Sequence, residues 1–384
     1  MSRERRPRIL WASETPLRGT GFGTVGRQLL KPLAKVGKYD LCCAAWGLDD
    51  PAAPQQLPYP LVTSQSGMAE ATQRALSRFH PDIVITLGDA WDFQWLPQLQ
   101  ERREVFWISL QTIDSGPAPR RWGAWLGDAD VVVCASEYGA QVLRDGLSLP
   151  DLRIIPLGVD GEAFARLPER EAVRAERGLA DRYVVGFVGR NQPRKQIPVL
   201  VKAFAGFRAQ HPEAFLYLHT DPCDPAGWDL LDLLDRYGLA EDTAFTPDLT
   251  IDRPVDDAEL NRIYNLFDVL VLPSSGEGFG LPLLEAMAAG VPVIATDCSA
   301  CRELVGGRGL LFGTRGSATL TVYNLELPIP DEADLESKLE SLHADPEAAE
   351  GMAQRGRRFA ETMTWDRCAR AWEELIDGLL GDGG

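Results

Sequence analysis

Two glutamates eight residues apart, Glu277 and Glu285, bracket a glycine-rich stretch that reads Gly276-Glu277-Gly278-Phe279-Gly280-Leu281-Pro282. An apolar run from Asp268 to Leu272 leads into it, and a helical pattern opens at Leu281 with Pro282 suited to the first turn. A strand, a glycine-rich loop and a helix start in succession aim free backbone N–H groups and the positive end of the helix dipole at one point, which suits an anion. Gly278, Phe279, Gly280 and Leu281 supply that backbone. Carboxylates beside such a phosphate pocket make sense as acceptors for hydroxyl groups. A sugar nucleotide carries both kinds of group.

A second strand-to-loop segment, Gly186-Phe187-Val188-Gly189-Arg190-Asn191-Gln192-Pro193-Arg194-Lys195, sets Arg190 and Lys195 five residues apart, with Arg194 able to stand in for its neighbour. The two segments together resemble the retaining glycosyltransferases of family 4, which have the GT-B fold and a Glu, seven residues, Glu motif. The resemblance implies that Arg190 and Lys195 bind the donor diphosphate, that Glu277 touches the donor sugar and that Glu285 holds the ribose hydroxyls. Cations fixed on a departing diphosphate stabilise the transition state more than the ground state. It further implies front-face transfer from a nucleotide-diphosphate sugar to an acceptor hydroxyl, with the leaving oxygen taking the acceptor proton and with no metal or cofactor required. The alternatives are a catalytically silent sugar-nucleotide binding protein and a nucleotide-sugar 2-epimerase. Ala135-Ser136-Glu137-Tyr138, Ile154 to Asp160 with Phe164, and Trp365 to Leu375 extend the resemblance along the chain, strongest over 130–310 and weakest over 45–105.

Near the amino terminus, Gly21-Phe22-Gly23-Thr24-Val25-Gly26 fits Gly-x-Gly-x-x-Gly, and Asp49 or Asp50 falls where a ribose-binding acid would stand in a dinucleotide fold. Five residues, Glu14 to Arg18, separate these glycines from the strand before them. The family resemblance instead sets Gly19, Gly21 and Gly23 over the donor phosphates. The segment Ile9 to Ser13 with Gly19 to Thr24 resembles a phage and microbial subgroup, which makes a modified DNA base a conceivable acceptor beside glycans, lipids and metabolites. One departure from the family is the missing histidine after the fourth strand, where the chain reads Ile108-Ser109-Leu110-Gln111-Thr112-Ile113-Asp114. Gln111 could hydrogen-bond the sugar, and Asp114 could orient or deprotonate the acceptor hydroxyl or simply cap a turn. Of the four histidines, His80, His211, His219 and His343, only His219 ends a strand where it could border the nucleotide.

Strand-like runs alternating with helical patterns must position these residues, and they predict α/β architecture with doubly wound parallel sheets. The first set is Arg8–Ala12, Asp40–Ala45, Ile83–Leu87, Val105–Leu110, Asp130–Cys134 and Arg153–Pro156. The second is Tyr183–Val188, Ala214–His219, Thr243–Thr246, Val269–Leu272 and Pro292–Ala295. The expected organisation is a Rossmann-like acceptor domain over 1–168, a Rossmann-like donor domain over 169–364, and a helical segment over 365–384 that crosses back onto the first domain. The two domains are expected to face a cleft, with a hinge near Gly158 to Glu169. The stretch Gly313 to Ala333 exceeds the usual connection, and Thr319 to Leu327 within it suits an added strand or hairpin.

At 384 residues, 45% hydrophobic and 25% charged, the chain has ordinary globular composition and room for two cores. No apolar run approaches membrane-spanning length, so the expected location is cytoplasmic. Seven cysteines favour reduced thiols over a disulfide framework, and the lone Cys298-x-x-Cys301 pair is expected in a plain loop. The net charge of −17 is uneven: residues 1–170 hold 19 basic and 20 acidic groups, against 20 and 36 in the remainder. The nearly neutral first half offers only scattered arginines such as Arg102-Arg103 and Arg120-Arg121, a weak basis for gripping a DNA backbone.

Overall fold

The structure, a computed structural model, describes residues 5–47, 57–64, 66–319 and 323–381. The chain forms two compact units, one of Met1–Leu157 with Trp365–Gly384 and the other of Gly158–Thr364. Residues 158–168, read from the sequence as part of the first domain, thus fold with the second unit.

The first unit holds seven strands: β1 Arg8–Glu14, β2 Asp40–Trp46, β3 Leu61–Thr63, β4 Ile83–Gly88, β5 Phe106–Gln111, β6 Val131–Cys134 and β7 Leu152–Ile154. They pair in parallel in the order β3-β2-β1-β4-β5-β6-β7. Runs such as Val131-Val132-Val133-Cys134 are buried on both faces, as a parallel sheet covered by helices requires. The helix Trp365–Gly381 belongs to this unit. It buries Trp365, Cys368, Ala369, Trp372 and Ile376, a spacing that keeps them on one face, and its Asp377 accepts a hydrogen bond from the Tyr39 hydroxyl at 2.9 Å and pairs with Lys38.

The second unit repeats the plan with β8 Tyr183–Val188, β9 Ala214–His219, β10 Thr243–Phe245, β11 Val269–Leu272, β12 Val293–Thr296 and β13 Leu310–Phe312, ordered β10-β9-β8-β11-β12-β13 and all parallel. In both sheets the strand order reverses beside the first strand, at β1/β4 and at β8/β11. That reversal leaves a crevice beyond the carboxyl ends of the two strands, where ligands of open α/β sheets bind.

The eleven strands read from the sequence are present, with ends shifted by no more than two residues. β3 and β13, two three-residue edge strands, are additions. Between Gly313 and Ala333, β14 Thr314–Thr319 and β15 Glu326–Pro330 form an antiparallel hairpin. Its strands flank most of the Thr319–Leu327 stretch rather than occupying it. Cys298 and Cys301 are not in a loop: Cys298 is the N-cap of the helix Ser299–Val305 and Cys301 lies in its first turn, both buried and both free thiols. Asp49 and Asp50 lie outside the described residues. Among the described residues no helix is long and apolar enough to cross a membrane.

Candidate functional site

The crevice of the second sheet is built from the loops after β8 and β11. The Ser275 N–H donates to the Arg194 carbonyl at 2.8 Å and locks the two loops together. Lys195 thereby meets Glu277 from 82 positions away, Nζ to Oε1 at 2.6 Å. The same oxygen accepts from Ser274 Oγ at 2.5 Å and lies 3.4 Å from an Arg194 guanidinium nitrogen. The backbone of Glu277 is held as well, its N–H donating to Ser299 Oγ at 2.8 Å and its carbonyl accepting from the Ala300 N–H at 3.3 Å. Lys195 and Glu277 are 7% and 5% exposed, so the ion pair is shut away from bulk water.

Burial by itself would push the Glu277 carboxyl up. Lys195 first, then Arg194 and the Ser274 hydroxyl, outweigh it and hold the pKa down at about 2. Burial pulls Lys195 below the ordinary lysine range while the Glu277 carboxylate opposes that fall. A carboxyl whose folded pKa is depressed contributes stability that is complete above its unfolded value, near 4.5, and is lost as pH falls toward about 2. The thermal midpoint of the parent protein should therefore drop more steeply than that of Glu277→Gln across this window. Parallel curves would show that the pair is electrostatically idle.

The helix that follows the loop, Leu281–Ala288, starts from Gly280 with φ 98°, a left-handed conformation that favours glycine. A Cβ there would also lie 3.2 Å from Leu283 and 3.3 Å from Leu304. Gly278, Phe279 and Leu281 complete the turn, the last two buried. One turn into the helix, Glu285 is buried and accepts from the Tyr264 hydroxyl at 2.7 Å. Burial, then the charge of Glu285, raises the Tyr264 pKa well above its ordinary value, so the phenol stays a donor.

Arg190 is on the same loop as Lys195 but has a different partner. Its Nε and a terminal nitrogen reach the two oxygens of Asp224 at 2.6 and 3.2 Å. Burial pushes the Asp224 carboxyl up, yet the bonds from Arg190 and the Ala226 N–H prevail and hold it below its usual range. His219 closes β9 with Nδ1 on Thr246 Oγ1 at 2.9 Å. Although part of the ring is exposed, its surroundings desolvate it and push the pKa down to about 4, so it is neutral at pH 7.

The remaining candidates lie in the first unit. Gly21 and Gly23 are in the first turn of the helix Gly21–Val36, with Gly19 just ahead of its N-cap, Thr20. Thr20 Oγ1 accepts from the Gly23 N–H at 3.0 Å and donates to Glu14 at 2.5 Å. A side chain at Gly23 would strike the Arg18 carbonyl at 2.6 Å, whereas Gly21 faces open space. Asp114 follows β5 and accepts from the Ser115 hydroxyl at 2.8 Å. Gln111 is buried, its amide nitrogen donating to Ser109 at 2.9 Å while its Oε1 has no hydrogen-bond partner among the described residues.

The structure thus joins Lys195, Arg194 and Glu277 directly and gives Arg190 and Glu285 separate anchors. Asp224, Tyr264, Ser274 and Ser299 escaped the sequence reading. Ser274 lies two residues ahead of the glycine-rich stretch and could have been suspected, but nothing local marks Tyr264 or Asp224.

Residues 182–323 match the family model described as glycosyl transferases group 1. A relative from Kineococcus radiotolerans, named D-inositol 3-phosphate glycosyltransferase, is 30% identical over 357 residues, which span 86% of this chain and 79% of that protein. Among solved structures, sucrose-phosphate synthase from Thermosynechococcus elongatus superposes with a TM-score of 0.79 at 23% identity, covering 98% of this chain and 100% of that one. Anabaena HepE, solved in complex with UDP-glucose, gives 0.77 at 16% identity, covering 97% and 99%. The two Rossmann-like sheets are accordingly those of the GT-B fold, and the chain belongs to the group 1 glycosyltransferases.

Proposed function

We propose that this enzyme is a retaining glycosyltransferase of family 4 that moves a sugar from a nucleotide-diphosphate sugar to an acceptor hydroxyl. The observation that carries the reading is the buried Lys195–Glu277 pair at the β8/β11 crevice. A buried ion pair is weak evidence of stabilisation, since desolvating two charges offsets most of their attraction, so its placement in a ligand crevice favours a functional role. UDP-glucose bound to a neighbour of the same fold supports a nucleotide sugar as the guest.

On this reading Arg190 and Lys195 hold the diphosphate, with the backbone N–H groups of Gly278 to Leu281 beside them. Glu277 binds the donor sugar, Glu285 the ribose hydroxyls, and His219 borders the nucleotide. Gly19, Gly21 and Gly23 approach the phosphates, and Asp114 orients the acceptor hydroxyl. The C1–oxygen bond to the diphosphate breaks as the acceptor oxygen joins C1 on the same face. The acceptor proton passes to the leaving diphosphate oxygen, and neither a metal nor a protein nucleophile is needed.

Tyr264 is a positioning residue here, because its hydroxyl fixes the Glu285 carboxylate. Tyr264→Phe should raise the donor KM about tenfold and leave kcat nearly unchanged. A fall in kcat at constant KM would contradict that role.

The decisive experiment is thermal stabilisation of the purified enzyme by UDP, GDP, ADP and TDP sugars without added metal, followed by mass analysis with acceptors that include D-inositol 3-phosphate. A shift with one nucleotide, abolished in Glu285→Ala, and a product retaining the anomeric configuration are expected. An epimerised donor, or binding with neither transfer nor hydrolysis, would replace the transferase reading.

A further inference from the structure

Away from the crevice, at the amino end of β9, two imidazoles and a carboxylate converge. His211 follows the helix Ile197–Gln210, Glu213 immediately precedes β9, and His343 ends the helix Glu332–His343. Glu213 Oε1 lies 3.1 Å from His343 Nε2 and 3.7 Å from His211 Nδ1. One ligand atom from each of the three residues lies within 4.8 Å of the other two. Two nitrogen or oxygen ligands on a tetrahedral zinc ion, each about 2.05 Å from the metal, sit about 3.3 Å apart. The two measured separations straddle that value.

The surroundings fix the ligand atoms. His211 Nε2 is 2.8 Å from Glu340 Oε2, and because a carboxylate only accepts, that nitrogen carries the proton. The other ring nitrogen, Nδ1, faces Glu213, so the ring is oriented with one nitrogen on each carboxylate. A carboxylate behind a ligating histidine is the usual device for setting its tautomer. The rings are also held by packing, His211 against Phe207 with centroids 4.5 Å apart and His343 edge-on to Tyr183 at 4.7 Å.

We propose that His211, Glu213 and His343 bind one divalent transition-metal ion of the zinc class, with Glu340 orienting His211. Two imidazoles and one carboxylate favour zinc, nickel or copper over magnesium or calcium. All three side chains are partly exposed, which leaves room for water to complete the coordination. The ion would tie two helix ends to the start of β9. It would sit at the opposite strand ends from the loops of Lys195 and Glu277, so its part is structural and separate from transfer.

The test is calorimetric titration of the EDTA-stripped 384-residue chain with zinc chloride, alongside visible spectra with cobalt chloride. One equivalent of zinc should bind and raise the thermal midpoint by a few degrees. His343→Gln and His211→Gln should weaken binding more than about a hundredfold, and Glu340→Gln by about tenfold to a hundredfold. Cobalt should give visible d–d bands without thiolate charge transfer in the near ultraviolet. Should a variant fail to fold, the cobalt spectrum of the parent decides. Absence of binding with zinc in large excess, binding unchanged in His343→Gln, or a thiolate band that places the ion on cysteine would each overturn the proposal.

Discussion

Lys195→Met and Arg190→Ala are each expected to lower kcat about 100- to 1000-fold while moving the donor KM far less. On the proposed transfer, negative charge accumulates on the diphosphate as its bond to the sugar breaks, and a preorganised cation beside it stabilises that charge most in the transition state. The two variants differ in their structural consequences. Arg190 is the more exposed cation, but it pairs with the buried Asp224 carboxylate, so its loss should cost the fold less than breaking the fully buried pair without being neutral. Removing Lys195 leaves Glu277 buried with Ser274 and the more distant Arg194, an arrangement that costs about 3–5 kcal/mol when a buried pair is broken. The double variant Lys195→Met/Glu277→Gln should recover part of that stability without recovering turnover. Steady-state kinetics on folded fractions separates the two effects, and a defect confined to KM in both single variants would sink the catalytic assignment.

Gly186→Ala should destabilise the second unit by about 3 kcal/mol, the upper part of the usual range for overpacking a core. Gly186 sits in the middle of β8, paired with Tyr217 on one side and Leu270 on the other. A Cβ there would lie 2.3 Å from the Phe267 ring, against atoms that are wholly buried. Phe267 cannot yield freely, because it packs between Tyr217 and Tyr264 with centroids 5.9 and 6.0 Å away. Any shift it makes is passed to the phenol that holds Glu285. The substitution should therefore lower the urea midpoint and also raise the donor KM. A loss below about 1 kcal/mol would mean that the aromatic cluster repacks at little cost.

The elements that carry the site were legible because their signals are local. Val269-Leu270-Val271-Leu272 is an apolar run too short for a helix, and the glycines and Pro282 after it mark a turn into one. The same reasoning placed Tyr183–Val188 before the basic turn. The charge types needed for a sugar nucleotide could be read there too. It failed at two of the four three-residue edge strands, β3 and β13, and at Cys298, where a helix start resembles a loop.

The chain by itself determined two parallel α/β sheets, the strand–loop–helix at Glu277 and the residue types clustered there. Tertiary structure alone decided the partners. Lys195 reaches Glu277 because β8 and β11 are neighbours at the reversal of strand order, and Tyr264 reaches Glu285 because both are turned into one core. The choice of Lys195 over Arg194 as the close cation of Glu277, and the meeting of His211 with His343, rest on burial and on contacts between distant segments. Desolvation and Coulomb energies depend on separation in space, and separation along the chain carries no record of that until the sheet order is set.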